Sequence, residues 1–590
     1  MKLSDYVMNF LRKQTGHIFM LPGGGAMHLD DSLGKSGIPY TVVLHEQAGA
    51  IAAHAYAMYK NSIGVMLTTS GPGGTNAITG CSNAWAESIP VVFISGQAKR
   101  STLMGSSGVR QMGSQEVDII SMVRGITKYA VQVTDPLDIR RQLEKAVHYA
   151  RTDRPGPVWL DIPVDVQGAD INENELHGFT PVISYQDTMR EFLGIQVTKT
   201  LELLQHSQRP VLFAGYGIQA SGAEKDFRTL VELLGVPVLV TWKEIGILPE
   251  DHPLYAGRPG KIGQRGANFA QQNSDLLVSI GARLDFEQVA FQPQHFAPKA
   301  RKVIVDVDMA EIHKLDMEMD IIAAVDAGVF IREMLAKARP VKRPKWVARC
   351  AEWKAKYPVV LPEYKYPNDL LRVNSYVFMD DLSEAATPDD VLAPGSSGQS
   401  VEVFMQAWKV KDGQRFVFAP GLGAMGYDIP NALGAAVASK KRTICITGDG
   451  GFQLNIQDLE TIRRLKLPVK LFVMSNGGYG SIMSMQRNYF EGRYVGSNPE
   501  SGLTFPPLDK IAEAYGFEYH KIMTNLKSKE TIKKVLDVSG PVICEVVVDP
   551  LQQQQPRVSS VVQADGYIVS MPMEDLWPFL PREEFAENMI

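Results

Sequence analysis

TICITGDGGFQLNIQDLETIRRLKLPVKLFVMSN, Thr443 to Asn476, is the stretch whose pattern decides the fold. An apolar run, TICIT, stops at Gly448-Asp449-Gly450. A helical stretch follows, and Leu467-Pro468 turns the chain into a second apolar run, KLFVMS. Neither run alternates with polar residues, which is the pattern of parallel strands buried on both faces. The helix between them is the crossover that parallel strands require. The same order occurs twice more. GVMLTTSGPGGTNAITGCSNAWAESIPVVFISG spans Gly64 to Gly96, and PVLFAGYGIQASGAEKDFRTLVELLGVPVLVT spans Pro210 to Thr241. Three such units predict an α/β protein of three doubly wound parallel-sheet domains. Their glycine turns fall at the carboxyl ends of strands, where ligands bind in open sheets.

At 590 residues the chain exceeds what one hydrophobic core supports. The expected divisions are an N-terminal domain over 1–168, a central domain over 190–336, a C-terminal domain over 370–550 and a tail over 551–590. The segment from Lys337 to Tyr366 is basic, Pro-rich and aromatic, and reads as a linker wrapping the surface. The tail is mixed apolar and charged, which suits a packing arm more than a substrate lid. A net charge of -5 excludes a general nucleic-acid binder. Cys81, Cys350, Cys445 and Cys544 are widely spaced, which disfavours a structural zinc site and a disulfide scaffold. The first residues read as an amphipathic helix rather than a signal peptide, and no apolar run is long enough to span a membrane. A cytoplasmic location is the expectation.

Asn476 lies 27 positions after Asp449, at the end of the next strand. Adjacent parallel strands bring both side chains to one sheet edge. A carboxylate and an amide oxygen are hard donors suited to Mg²⁺, and Gly478 is placed to add a backbone carbonyl. Gly448, Gly450 and Gly451 let backbone N–H groups approach phosphates at a helix start. Taken alone, Gly-Asp-Gly is as readily a helix cap. Its spacing to Asn476 favours a metal and diphosphate site.

With these residues in view, the chain resembles the thiamine-diphosphate enzymes of the acetolactate synthase type, over most of its length. The family writes the second element as Asn-Asn, whereas Ser475-Asn476 stands here. PGLGAMGYDIPNALGAAVA, Pro420 to Ala438, is similar to the family's segment ahead of Gly-Asp-Gly. SSGQS matches its diphosphate-contacting segment, which implicates Ser397, Gly398, Gln399 and Ser400. By the same resemblance Gly423 and Gly480 lie against the cofactor, and Met425 props it in a bent form. Glu46, in VLHEQAGAIAAHAYAMYK, resembles the carboxylate that activates the aminopyrimidine. On residues alone, Glu46 reads more readily as a helix N-terminal carboxylate serving the dipole, and Met425 as a core filler.

The resemblance also bears on substrates. Gln115 matches a pocket glutamine of the family. Ser114, Val164 and Met485 stand where acetolactate synthases carry Phe, Lys and Trp. The expected reaction is decarboxylation of a 2-keto acid, pyruvate above all, with transfer of the acyl unit to a carbonyl acceptor. The three departures point to a larger acceptor, such as a nucleotide-activated keto sugar in branched-sugar synthesis. A simple 2-keto acid decarboxylase or lyase is the alternative within the class, and a non-catalytic scaffold the alternative outside it. The absence of GxxxxGK[ST] disfavours a P-loop protein.

The family binds FAD in its middle domain. GARLDFEQVAF and VIVDVDMAEIHK resemble the flavin-contacting segments, with Arg283 near a diphosphate and Asp306 or Asp308 near adenosine groups. GRPGKIG, Gly257 to Gly263, and Asp326 followed by Ala depart from that pattern and leave the flavin open. In the family the two ends of the thiamine come from different subunits, which implies a homodimer or homotetramer with sites at the interface.

Overall fold

The computed structural model describes residues 1–181, 185–365, 372–396, 398–562 and 566–590. Three six-stranded sheets, each wholly parallel, follow one another along the chain. The first has the order Tyr40–Val42, Ile18–Met20, Gly64–Thr68, Val91–Gln97, Val158–Pro163, Tyr129–Gln132. The second runs Ile321–Ala323, Arg301–Val305, Leu276–Ile280, Pro210–Ala214, Val238–Val240, Tyr255–Gly257. The third runs Arg415–Phe416, Val391–Ala393, Thr443–Gly448, Val469–Ser475, Val542–Val547, Glu518–Ile522. Central strands such as Val91–Gln97 and Pro210–Ala214 are buried at every position. Helices cover both faces, which explains their unbroken apolar composition.

The first and third units meet through two small-residue helices, Glu46–Lys60 and Asp428–Ser439. Their backbones approach so closely that a Cβ at Gly434 would stand 2.2 Å from the Ala52 carbonyl. The alanine-rich sequence is therefore what permits the contact. Arg258, fully buried, joins the second and third units. Its guanidinium donates to the carbonyls of Met405 and Trp408 and to the Tyr255 hydroxyl. A guanidinium offers a rigid fork of five donors, so it can satisfy several buried carbonyls at once.

The described part of the expected linker, 337–365, is more than a surface segment. Pro344–Lys356 forms a helix whose Trp346, Cys350 and Trp353 are buried against the helix Arg265–Gln272. Those residues recur at helical spacing, and the intervening charges face outward. The tail packs on the second unit, with Met573 and Leu576 in its core. Arg265 donates to the Leu576 carbonyl, and Asn273 to that of Asn588. This is the arm arrangement.

Candidate active site

The carboxyl ends of the third sheet gather four turns. Strands Thr443–Gly448 and Val469–Ser475 pair in parallel with Gly448 opposite Met474, so Asp449 and Asn476 emerge side by side. Asp449 Oδ2 accepts from the N–H of Asn476 at 2.9 Å and of Gly477 at 2.7 Å. Its Oδ1 accepts from Gly450 N–H at 2.9 Å. Burial raises this carboxyl to about 6, against the pull of those N–H groups. Asn476 Oδ1 accepts from Gly478 N–H at 3.1 Å. Gly480 is next to the Asn476 amide, since a Cβ there would meet Nδ2 at 2.6 Å.

Gly450 must be glycine for space, because a Cβ would stand 2.5 Å from the Tyr479 ring. The turn Gly398–Ser400 approaches the same edge, with Gly398 beside the Ser481 hydroxyl. Gln399 Oε1 accepts from the Ser375 hydroxyl at 2.8 Å, and Ser400 is buried behind the turn. Ser397 lies outside the described residues.

Asp428, which the sequence reading missed, organises these turns. It is buried and takes Ser396 N–H at 3.1 Å and the Thr447 hydroxyl at 2.6 Å. Burial raises it to about 6. Gly451 lies directly against it. The Ser396 hydroxyl donates to the Ala424 carbonyl at 2.8 Å, which ties in the loop carrying Gly423 and Met425. Gly423 takes φ +63°, a left-handed conformation that favours glycine. Met425 is 39 % exposed.

A second group forms at the edge of the first sheet. Glu46 starts its helix after the cap His45 and is buried, and Asn76 Nδ2 donates to Glu46 Oε2 at 3.0 Å. Gln115 has φ +57°, and its carbonyl abuts Gly71 at the foot of the helix bearing Asn76. Its neighbour Glu116 fixes the loop. It is buried and accepts N–H groups from Met104, Met112 and Gly113. Burial raises its pKa, but the three N–H groups outweigh burial and hold it below the usual carboxylate range. Glu116→Gln is expected to cost about 1–3 kcal/mol in denaturant unfolding, since an amide accepts these bonds less strongly. Unchanged stability with unchanged proteolysis of this loop would refute that role. The signal available in sequence was only an acid in a glycine-bounded loop.

Among the described residues no hydrogen bond or ion pair joins Glu46 or Gln115 to Asp449, Asn476 or Met425. Apolar side chains lie open around both groups, among them Leu44, Leu454, Leu422 and Met425. On the helix Gly480–Tyr489, Ile482, Met485 and Tyr489 form one exposed face.

The donors at Asp449 and Asn476 are hard oxygens, which fit Mg²⁺. Among the described residues no three His, Cys, Asp or Glu side chains gather as a metal site. An ion there would therefore draw on amide, carbonyl and phosphate oxygens beside one carboxylate.

A cavity of about 590 Å³ opens at the carboxyl ends of the second sheet, within the size range of cofactor sites. Arg283 and Asp306 line it, with Gly217, Thr241 and Asp326. Burial raises Asp306 to about 6. Asp308 instead caps a helix and pairs with Arg154 at 3.0 Å. Arg283 Nε is buried without a hydrogen bond, 3.4 Å from Glu311, and Thr241 Oγ1 is buried without one. No helix among the described residues is long and apolar enough to cross a membrane.

Comparison with known proteins finds a domain match in each of the three units. Residues 1–122 match the N-terminal TPP binding domain of thiamine pyrophosphate enzymes, 197–334 the central domain, and 396–546 the C-terminal TPP binding domain. The chain is 31% identical over 567 residues to the acetolactate synthase large subunit of Cyanidium caldarium, covering 93% of each. It is 31% identical to the acetolactate synthase isozyme 2 large subunit of Escherichia coli K12, covering 94% of this chain and 97% of that one. It is 32% identical to a probable acetolactate synthase large subunit of Methanocaldococcus jannaschii, covering 91% and 90%. Matches of this length across all three sheets settle the family: the chain belongs to the thiamine diphosphate (thiamine pyrophosphate) enzymes and is an acetolactate synthase-like enzyme of the carboligase type.

Proposed function

We infer that this enzyme decarboxylates pyruvate or a close 2-keto acid and joins the acyl unit to a carbonyl acceptor larger than a second pyruvate, with a keto sugar carried on a nucleotide as the leading class. When bound, thiamine diphosphate supplies the electron sink for loss of CO₂. Asp449, Asn476 and the Gly478 carbonyl hold Mg²⁺ at the diphosphate, and the 398–400, 423 and 448–451 turns supply N–H groups and space around it. Glu46 tunes the aminopyrimidine, and Gln115 orients substrate. The apolar side chains that lie open around both residue groups support a homodimer or homotetramer that closes the site between copies.

The observation that carries the acceptor reading is the open face of helix Gly480–Tyr489. Met485 is 44% exposed there, at the position where the family's bulky tryptophan narrows the pocket. Ser114 is also exposed, in place of a phenylalanine. The test is incubation with pyruvate, thiamine diphosphate, Mg²⁺ and a panel of carbonyl acceptors, with products identified by mass spectrometry. A ligated product formed only with a sugar acceptor supports the reading. Free aldehyde regardless of acceptor makes the protein a simple decarboxylase. Met485→Trp is expected to lower kcat/KM for a bulky acceptor about 10-fold or more while sparing small ones, since a misfit of this size costs about 1–3 kcal/mol. An unchanged acceptor range would remove the pocket argument.

FAD is the proposed occupant of the central cavity. The unbonded polar atoms of Arg283 and Thr241 and the buried Asp306 suit a dinucleotide there. Protein purified under native conditions is expected to show the flavin absorption band, and Arg283→Ala to lose it. A colourless protein that stays colourless on incubation with FAD would end this part of the reading.

A further inference from the structure

The loop Pro420–Met425 is anchored from the side opposite the diphosphate turns. Gly421 N–H donates to Glu87 Oε1 at 2.6 Å. Glu87 Oε2 lies 2.8 Å from Lys243 Nζ. The same ammonium donates to the Phe418 carbonyl at 3.0 Å and sits 4.6 Å from the centre of the Tyr216 ring. Glu87 is buried, with 4% of its side chain exposed, and Lys243 is largely covered, at 13%.

Each group comes from a different unit. Glu87 caps the C-terminus of helix Pro72–Ala86. Lys243 lies in the turn after strand Val238–Val240 of the second sheet. Phe418 and Gly421 bracket the root of the loop in the third unit. Parting a buried ion pair leaves a charge without compensation, so the contact resists opening. The loop has little room to move around it, because a Cβ at Gly421 would meet Glu87 Oε1 at 2.8 Å. Helix Pro72–Ala86 also carries Asn76, which holds Glu46. One rigid element thus reaches from the activating carboxylate to the loop bearing Met425. Glu87, Lys243 and Gly421 also form one wall of the central cavity.

We propose that Glu87 and Lys243 are positioning residues that seat the Pro420–Met425 loop, so that Met425 is presented to the thiamine rings at a fixed height. This rests on the thiamine reading of Met425 given above. Neither residue needs to touch the cofactor. Their effect runs through the Gly421 N–H and the Phe418 carbonyl.

The test reads exchange of the thiamine C2 proton by quenched-flow proton NMR, in enzyme saturated with thiamine diphosphate and Mg²⁺. Two double variants remove the ion pair without stranding a charge. Glu87→Ala with Lys243→Met also removes the acceptor for Gly421, and is expected to slow exchange by about tenfold or more, as small misplacements of reacting groups do. Glu87→Gln with Lys243→Met keeps an amide oxygen for Gly421, and is expected to exchange within about threefold of the parent. A packing role alone would shift the melting temperature of both and leave exchange unchanged. Equal exchange in the parent and the alanine double variant overturns the proposal, as does equal slowing in both double variants. If the alanine double variant does not fold, Gly421→Ala carries the same readout, since its methyl pushes the loop off Glu87. Parental exchange no faster than free cofactor would overturn the thiamine reading itself, which is a different result from a fast parent with unaffected variants.

Discussion

Glu46→Gln is expected to keep thiamine diphosphate bound and to lose about two to four orders of magnitude in kcat, the range for removing one positioned acid–base group. The substitution changes charge and leaves shape alone. Glu46 is buried, and Asn76 Nδ2 donates to its carboxylate at 3.0 Å. A glutamine oxygen accepts that same bond, so the helix Glu46–Lys60 keeps its start. What disappears is the carboxylate proposed to trade a proton with the aminopyrimidine. Cofactor affinity by calorimetry should stay within about threefold, roughly 0.6 kcal/mol. Steady-state turnover with pyruvate checks the prediction. Parental turnover in Glu46→Gln would remove Glu46 from the mechanism and return it to a helix-dipole role.

Asp449→Ala is expected to act at the other end and in the other parameter. It removes the one carboxylate of the proposed metal set. It also leaves the N–H groups of Asn476, Gly477 and Gly450 without their acceptor. Affinity for thiamine diphosphate in the presence of Mg²⁺ should fall by about 100-fold or more, roughly 2.8 kcal/mol. A chelator should release the cofactor from the parent enzyme and change little in Asp449→Ala, because its metal-dependent share is already gone. If the variant binds the cofactor as the parent does, and a chelator still releases it, the metal lies elsewhere. The two variants therefore separate activation from binding, which follows from their standing in different units.

Much of the framework was legible in the sequence. Unbroken apolar runs such as TICIT and KLFVMS marked strands covered on both faces, and the glycine turns marked the ends that bind ligands. The spacing from Asp449 to Asn476 predicted neighbours at one edge, and the parallel pairing of Gly448 with Met474 brings them there. The segment from Lys337 reads as a surface linker because its charge density masks Trp346, Cys350 and Trp353, which recur at helical spacing and are buried. Within the departure at Gly257–Gly263, Arg258 has a reason: it is a bolt to the third unit rather than a cavity group.

Glu116, Asp428, Glu87 and Lys243 were missed for a common reason. Each is an ordinary charged residue in its own segment. Glu116 matters because a loop folds its N–H groups onto the carboxylate, and Asp428 because Ser396 and Thr447 arrive from other turns. Glu87 and Lys243 matter because three units converge on them.

By itself the sequence determined which segments become strands and helices, and which residue types end up at strand tips, because burial pattern and turn chemistry are local properties of the chain. The tertiary structure alone decided which distant groups meet, as Glu87, Lys243 and the Gly421 N–H do. Those contacts depend on how closely small-residue helices let whole units approach, a distance that no local pattern encodes.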